Sequence, residues 1–143
     1  MYEARNMAYV LTSLEAIEKL FLYIDDIDNG QDLLQREDQL YYNACILLLG
    51  VIGEETKKIS PKIKDELPHI TWQEIVRMRN RISHDYRGVD ADIVYMTIAQ
   101  KLDPLKDALI KIYQRIPYSS DKRQKILASP YYSHLQYLNN DHE

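Results

Sequence analysis

Apolar residues in this chain return every three or four positions through four long stretches, and that periodicity most tightly limits its fold. Steps of three and four trace one face of a helix, so each stretch must bury its stripe against a neighbour. The first carries Val10, Leu14, Ile17, Phe21 and Ile24 and is expected to end at Gly30. The second is predicted from about Asp32 to Lys58, with Leu33, Leu40, Ala44, Leu47 and Val51 inward and a stop at Ser60-Pro61. A short, partly helical connector runs through Pro68. Thr71 opens the third, where its side chain is placed to cap free amides while Glu74 reaches back. Gly88 is placed to end that helix. The fourth begins at Asp90 and carries Val94, Ile98, Leu102, Leu105, Leu109, Ile112 and Ile116. Pro104 falls inside it without disturbing the apolar phase, which predicts a kink rather than a break. Pro117 closes it. With only four glycines in 143 residues, helix is expected throughout. The expectation is an all-α, up-and-down four-helix bundle over residues 1–117, with a C-terminal helical appendage over 118–143. That tail contains Lys122, Arg123, Lys125 and the tyrosines Tyr131, Tyr132 and Tyr137.

Several function classes are disfavoured by the same residues. A chain of this length is one domain and can bury about two-thirds of its extended surface, so it needs no disulfide or structural metal. Its single cysteine, Cys45, lies in the apolar run 44–53, reads as a core residue and fits a reducing compartment. That run is too short for a bilayer, which takes about 20 residues. The start of the chain, with Glu3 and Arg5, does not read as a signal peptide, so a cytoplasmic protein with no membrane contact is expected. A net charge of −4 argues against a non-specific nucleic-acid coat but leaves room for a local basic groove. No His, Cys, Asp and Glu set has metal-ligand spacing and no glycine loop cradles phosphate, so neither metal nor cofactor is expected. His69, His134 and His142 are isolated and read as surface or turn residues.

The chemistry concentrates between Arg79 and Tyr86. Four arginines (Arg77, Arg79, Arg81 and Arg87) fall in one short span of an acidic protein, with His84 and Asp85 among them. At about 100° per residue, Trp72, Ile75, Met78 and Ile82 form the apolar face. Arg77 and Arg81 point away from it; a solvated face and a supporting RNA contact both stand for them. Arg79 lies close to the apolar stripe, where an arginine needs a partner. Glu54 or Glu55 of the second helix can supply a carboxylate, or Arg79 can face a polar cleft or a subunit interface. His84 points about 140° from Arg79 on a straight helix. Either the helix unwinds near His84, as Gly88 permits, or two copies meet and each supplies part of a site.

Arg79, His84 and Tyr86 together resemble the Arg-x4-His-x-Tyr signature of the HepT toxins, members of the HEPN superfamily of helical nucleases. The surroundings are similar too: Ile52-Gly-Glu54, Ile70-Thr-Trp72, Met78-Arg-Asn80 and Val89-Asp90. The resemblance runs from about residue 40 to 116. It implies a homodimer, with higher assembly left open, whose composite cleft cleaves RNA without a metal. In that reading His84 moves a proton at the ribose 2′-hydroxyl or the leaving 5′-oxygen. Arg79 places fixed charge on the transition state, and Asn80 bonds phosphate or orients His84. Arg77, Arg81 and Arg87 support RNA. The resemblance also implies a type VII-like toxin–antitoxin pair, in which an MntA-like nucleotidyltransferase antitoxin transfers AMP to Tyr86. That adenylate would lie beside Arg79 and occupy the groove RNA needs. The chain's 12 tyrosines leave ordinary packing open for Tyr86. The alternative is a non-catalytic HEPN-like adaptor binding a nucleotidyltransferase or nucleotide; such bundles typically lack the arginine–histidine pair.

Overall fold

A computed structural model describes residues 4–140. The long helices are α1 (Arg5–Tyr23), α3 (Leu40–Lys57), α5 (Trp72–His84) and α7 (Leu102–Arg115). Shorter helices lie between and after them: α2 (Gly30–Gln35), α4 (Pro61–Asp65), α6 (Ala91–Met96) and α8 (Ser120–Leu127). The all-α bundle read from the periodicity is therefore what forms. α1 packs on both α3 and α7, and α5 packs on the outer side of α3. Asn6 near the start of α1 exchanges hydrogen bonds with Ser60 just past the end of α3, so those two helices run antiparallel. No helix among the described residues is long and apolar enough to cross a membrane.

The fourth stripe is followed residue for residue: Val94, Ile98, Leu102, Leu105, Leu109, Ile112 and Ile116 are all buried. Asp90 opens α6 by accepting from the Asp92 amide at 2.8 Å, as a capping residue should. Between α6 and α7 the backbone widens into a π-helical turn, Thr97–Lys101. Pro104 cannot donate to the carbonyl four residues before it, and that carbonyl, of Gln100, lies in the widened turn. Where the sequence predicted a kink, the structure shows this widened turn, one turn before the proline.

Three sequence expectations are corrected. Gly30 does not end α1, which stops at Tyr23; it opens α2, behind the cap Asn29. A Cβ at Gly30 would lie 2.4 Å from the Asp92 amide nitrogen, so this glycine serves a close approach between α2 and α6. The second helix is not continuous: Glu37, Asp38 and Gln39 take φ of 50°, 55° and 69°. Three consecutive left-handed non-glycine residues cost about 1–2 kcal/mol each. Arg36, bonded to Asp26 and Asp32 at 2.7 and 2.9 Å, ties down the chain just before them. The inward stripe assigned to α3 was also out of phase. Leu40 and Leu47 are 61% and 67% exposed, while Tyr42, Cys45, Ile46, Leu49 and Ile52 face the core. Burial pushes the Cys45 thiol up to about 12, consistent with an inert core side chain.

The tail folds back onto the bundle. Leu127, Leu135 and Leu138 are fully buried. Arg123, one of the tail's three basic residues, is buried. Its guanidinium donates to the Gln114 and Ile116 carbonyls at 3.1 and 2.7 Å, capping the end of α7. His134 is not isolated: its amide and ring both reach the buried carboxylate of Glu15. His69 is exposed as expected, and His142 lies outside the described residues.

Candidate active site

The site is built on α5 and the turn that follows it. None of the residues of α5 is fully buried; Trp72, Ile75, Met78 and Ile82 are half-buried on a helix that packs on α3. The capping box does not form. Thr71 makes no side-chain cap, and Glu74 turns instead to Lys101, 3.7 Å away. What seats α5 is Gly53 of α3: a Cβ there would stand 2.4 Å from the Cβ of Arg79. The absent side chain lets Arg79 lie flat against α3.

Arg79 finds the carboxylate that its position demanded. Its Nη2 is 2.8 Å from Glu54 Oε2, and its Nη1 donates to Asn80 Oδ1 at 2.8 Å. Two of the fork's faces are thus fixed before any substrate arrives, while the side chain keeps 31% of its surface open. Asn80 in turn lines an open cleft of about 330 Å³ with Arg81, His84, Asp85, Gly88 and Val89. Asn80 is the link between the two catalytic candidates: it touches Arg79 and shares the cleft with His84.

His84 is the last residue of α5; Asp85 leaves helical geometry with φ −150° and ψ 73°. A tight 3-10 turn, Tyr86–Gly88, follows. Gly88 therefore does not end α5, contrary to the sequence expectation; Asp85 stands at its C-terminus. The Gly88 amide donates to the Asp85 carboxylate at 3.1 Å, and a Cβ would collide with that same group. His84 is exposed in the cleft.

Tyr86 leaves the phase of α5 with the turn. Its hydroxyl donates to Asn43 Oδ1 on α3, and its ring lies 6.4 Å from that of Tyr42. Tyr42 is buried and donates to the Val89 carbonyl at 3.4 Å, bracing the turn from below. Burial first, and then Tyr86 and Asp90, push its phenol above the ordinary range. Asn43 and Glu54 lie about three helical turns, roughly 16 Å, apart along α3. Within one chain, then, the residues that hold Tyr86 and Arg79 are set well apart on α3. Asn43 had no signal in the sequence; its role depends on the antiparallel register of α3 and α5.

Among the supporting residues, Arg81 shares the His84 cleft. Arg77 lies further back on α5, bonded to Gln73 at 3.3 Å, and Arg87 is exposed on the turn. One chain thus gathers Asn80, Arg81 and His84 directly and Arg79 only through Asn80. It does not bring the guanidinium and the imidazole into one cavity.

Comparison with known proteins gives the family. A family described as Ribonuclease HepT-like matches residues 13–112, a span that contains every residue of the site. The chain is 34% identical to "Putative RNase MJ1216" of Methanocaldococcus jannaschii over 66% of its own length and 81% of that protein's. It is 32% identical to "Probable ribonuclease HepT" of Thermococcus cleftensis over 73% and 92%. No solved structure gives a significant match.

Proposed function

Because this chain belongs to the HepT-like ribonuclease family, we propose that it is a toxin-type endoribonuclease that cuts RNA without a metal in a cleft completed by a second copy. The observation that carries the reading is the His84 cleft with Asn80 at its wall and Arg79 held one bond behind it. A histidine there can take the proton of a ribose 2′-hydroxyl as that oxygen attacks the adjacent phosphorus. The bond to the 5′-oxygen breaks as that oxygen takes up a proton from an imidazolium or from water, leaving a 2′,3′-cyclic phosphate and a 5′-hydroxyl. With the nucleophile supplied by the substrate itself, no metal-bound water is needed and DNA is refused.

Charge accumulates on the phosphoryl oxygens during that step, and a fixed guanidinium stabilises it most where water is excluded. Arg79 of one copy and His84 of the other can meet on a single linkage across a two-fold axis, which one helix alone does not permit. Arg81 and Arg87 add phosphate contacts. The adaptor alternative is weaker, since the arginine–histidine pair is present and set on an open cleft.

Incubating the purified protein with total RNA in EDTA and sequencing the ends tests the reaction. Discrete cuts bearing cyclic phosphate are expected; RNA left intact would defeat the nuclease reading.

Control by an MntA-like nucleotidyltransferase rests on Tyr86, a 46% exposed side chain two residues from His84, whose hydroxyl must leave Asn43 to react. Transfer forms an Oη–phosphorus bond and releases pyrophosphate and a proton. It puts a phosphate and a base at the mouth of the His84 end of the site. Incubation with ATP, magnesium and the transferase should add AMP mass to the Tyr86 peptide and stop RNA cleavage in step. Mass on other peptides only would refute this switch.

A further inference from the structure

Among the described residues, three arginines that make no ion pair lie together in one region. Arg36, Arg79 and Arg115 face carboxylates, and Arg123 caps α7. Arg77, Arg81 and Arg87, among the described residues, make no ion pair, although acidic side chains outnumber basic ones by 22 to 18. Cations left unneutralised in an acidic protein mark a surface kept for an anion. Arg77, Arg81 and His84 recur at four and three residues and so share one face of α5. Arg77 and Arg81 are about 6 Å apart along the axis, comparable with successive phosphates on an extended strand.

At the far end of that face is a second cleft, of about 510 Å³. Lys64, Asp65, Trp72, Gln73, Val76 and Arg77 line it. The Lys64 ammonium stands 5.8 Å from the Trp72 ring centre, and burial lowers it from the ordinary lysine range. The indole N–H of Trp72 is already given to the Leu67 carbonyl at 3.3 Å, so the ring is fixed and offers only aromatic surface. Fixed aromatic surface flanked by two cations is what an unstacked base and its phosphates need. Asp65 can accept from a base amino group or a ribose hydroxyl.

We propose that this cleft is a nucleotide subsite for single-stranded RNA, taking a base against Trp72 and phosphates on Lys64 and Arg77, with Arg81 leading the strand back to His84. The assignment rests on the ribonuclease reading. His84 and Trp72 are roughly 18 Å apart along α5, so only a strand several nucleotides long fills both sites. A duplex is excluded, because its bases are stacked on one another.

Trp72 is the single tryptophan of the chain, so its emission reports on this cleft alone. The full chain carrying His84→Ala is titrated in EDTA with a fluorescein-labelled octaribonucleotide and, separately, a dinucleotide. The octamer should bind by anisotropy and quench Trp72 saturably, while the dinucleotide leaves emission unchanged. Lys64→Ala or Arg77→Ala, added to that protein, should weaken the octamer about tenfold and lower the salt slope by about one each. An octamer that binds without quenching, equally well in both variants, overturns the subsite and leaves the nuclease reading standing. If the octamer does not bind and the unsubstituted protein leaves total RNA intact, both fall together.

Discussion

His84→Ala lowers the rate of RNA cleavage by about 10²–10⁴-fold, the range for removing a general acid or base, and leaves the fold intact. The two halves of that expectation come from the same place in the structure. His84 is exposed, ends α5 and lines an open cleft rather than the core. Truncating it opens no cavity, and surface changes of that kind stay within about 0.5 kcal/mol. A protonated histidine at a helix end also interacts with the final carbonyls, which adds no more than about 0.3–1 kcal/mol when exposed. His84→Gln should be as inactive as the alanine variant, because an amide keeps the hydrogen bonding but neither takes up nor releases a proton near neutral pH. Single-turnover cleavage of a short RNA, with thermal melting alongside, measures both halves. Activity within fivefold of the parent in either variant would remove His84 from the chemistry.

How far the sequence exposed this arrangement depended on how many answers each pattern allowed. The fourth stripe was well marked from Gln100 on, where Gln100, Lys101, Asp103, Asp107, Lys111, Gln114 and Arg115 mark the outer face. α3 is apolar on nearly every side. Leu40 and Leu47 satisfied the helical repeat as well as Tyr42, Cys45 and Leu49 did, and only packing against α1 and α5 chose between them. The break before α3 carries no glycine or proline. Its left-handed residues are held by the surrounding fold, which no local propensity reports. Thr71 and Glu74 were a valid capping box until the π-helical turn offered Lys101 to Glu74. In the site, Arg79 was legible because charge near an apolar stripe requires a partner, and Glu54 was among the two residues able to reach it. Asn43 was not, since nothing in its neighbourhood along the chain distinguishes it. The Trp72 cleft was hidden for a related reason: Lys64 comes from α4, separated from Trp72 by a connector that only the fold closes.

Arg79→Ala should cost about 10²–10³-fold in cleavage, as the loss of one transition-state donor does, while barely moving the melting temperature. The opposing expectation is serious, because Arg79 is half-buried and ion-paired, so its removal could instead unseat α5. Magnitudes decide between them. The side chains of Arg79 and Glu54 keep 31% and 42% of their surface exposed. A pair that open to water contributes about 0–1 kcal/mol after screening, and Glu54, once freed, can be hydrated. Close contact between α3 and α5 comes from Gly53 and the Cβ of residue 79, both of which survive in the alanine variant. Arg79→Lys separates charge from geometry further. A lysine keeps the charge but cannot bond Glu54, Asn80 and a phosphoryl oxygen as a planar fork does, so it should recover little activity. Glu54→Gln removes the carboxylate yet leaves an acceptor for the guanidinium, and should retain more cleavage than either Arg79 variant. If Arg79→Ala lowered stability and activity by matching free energies, or if Arg79→Lys cut RNA as fast as the parent, the guanidinium would be a packing residue. The charge that steadies the phosphorane would then have to come from Arg81 in the His84 cleft.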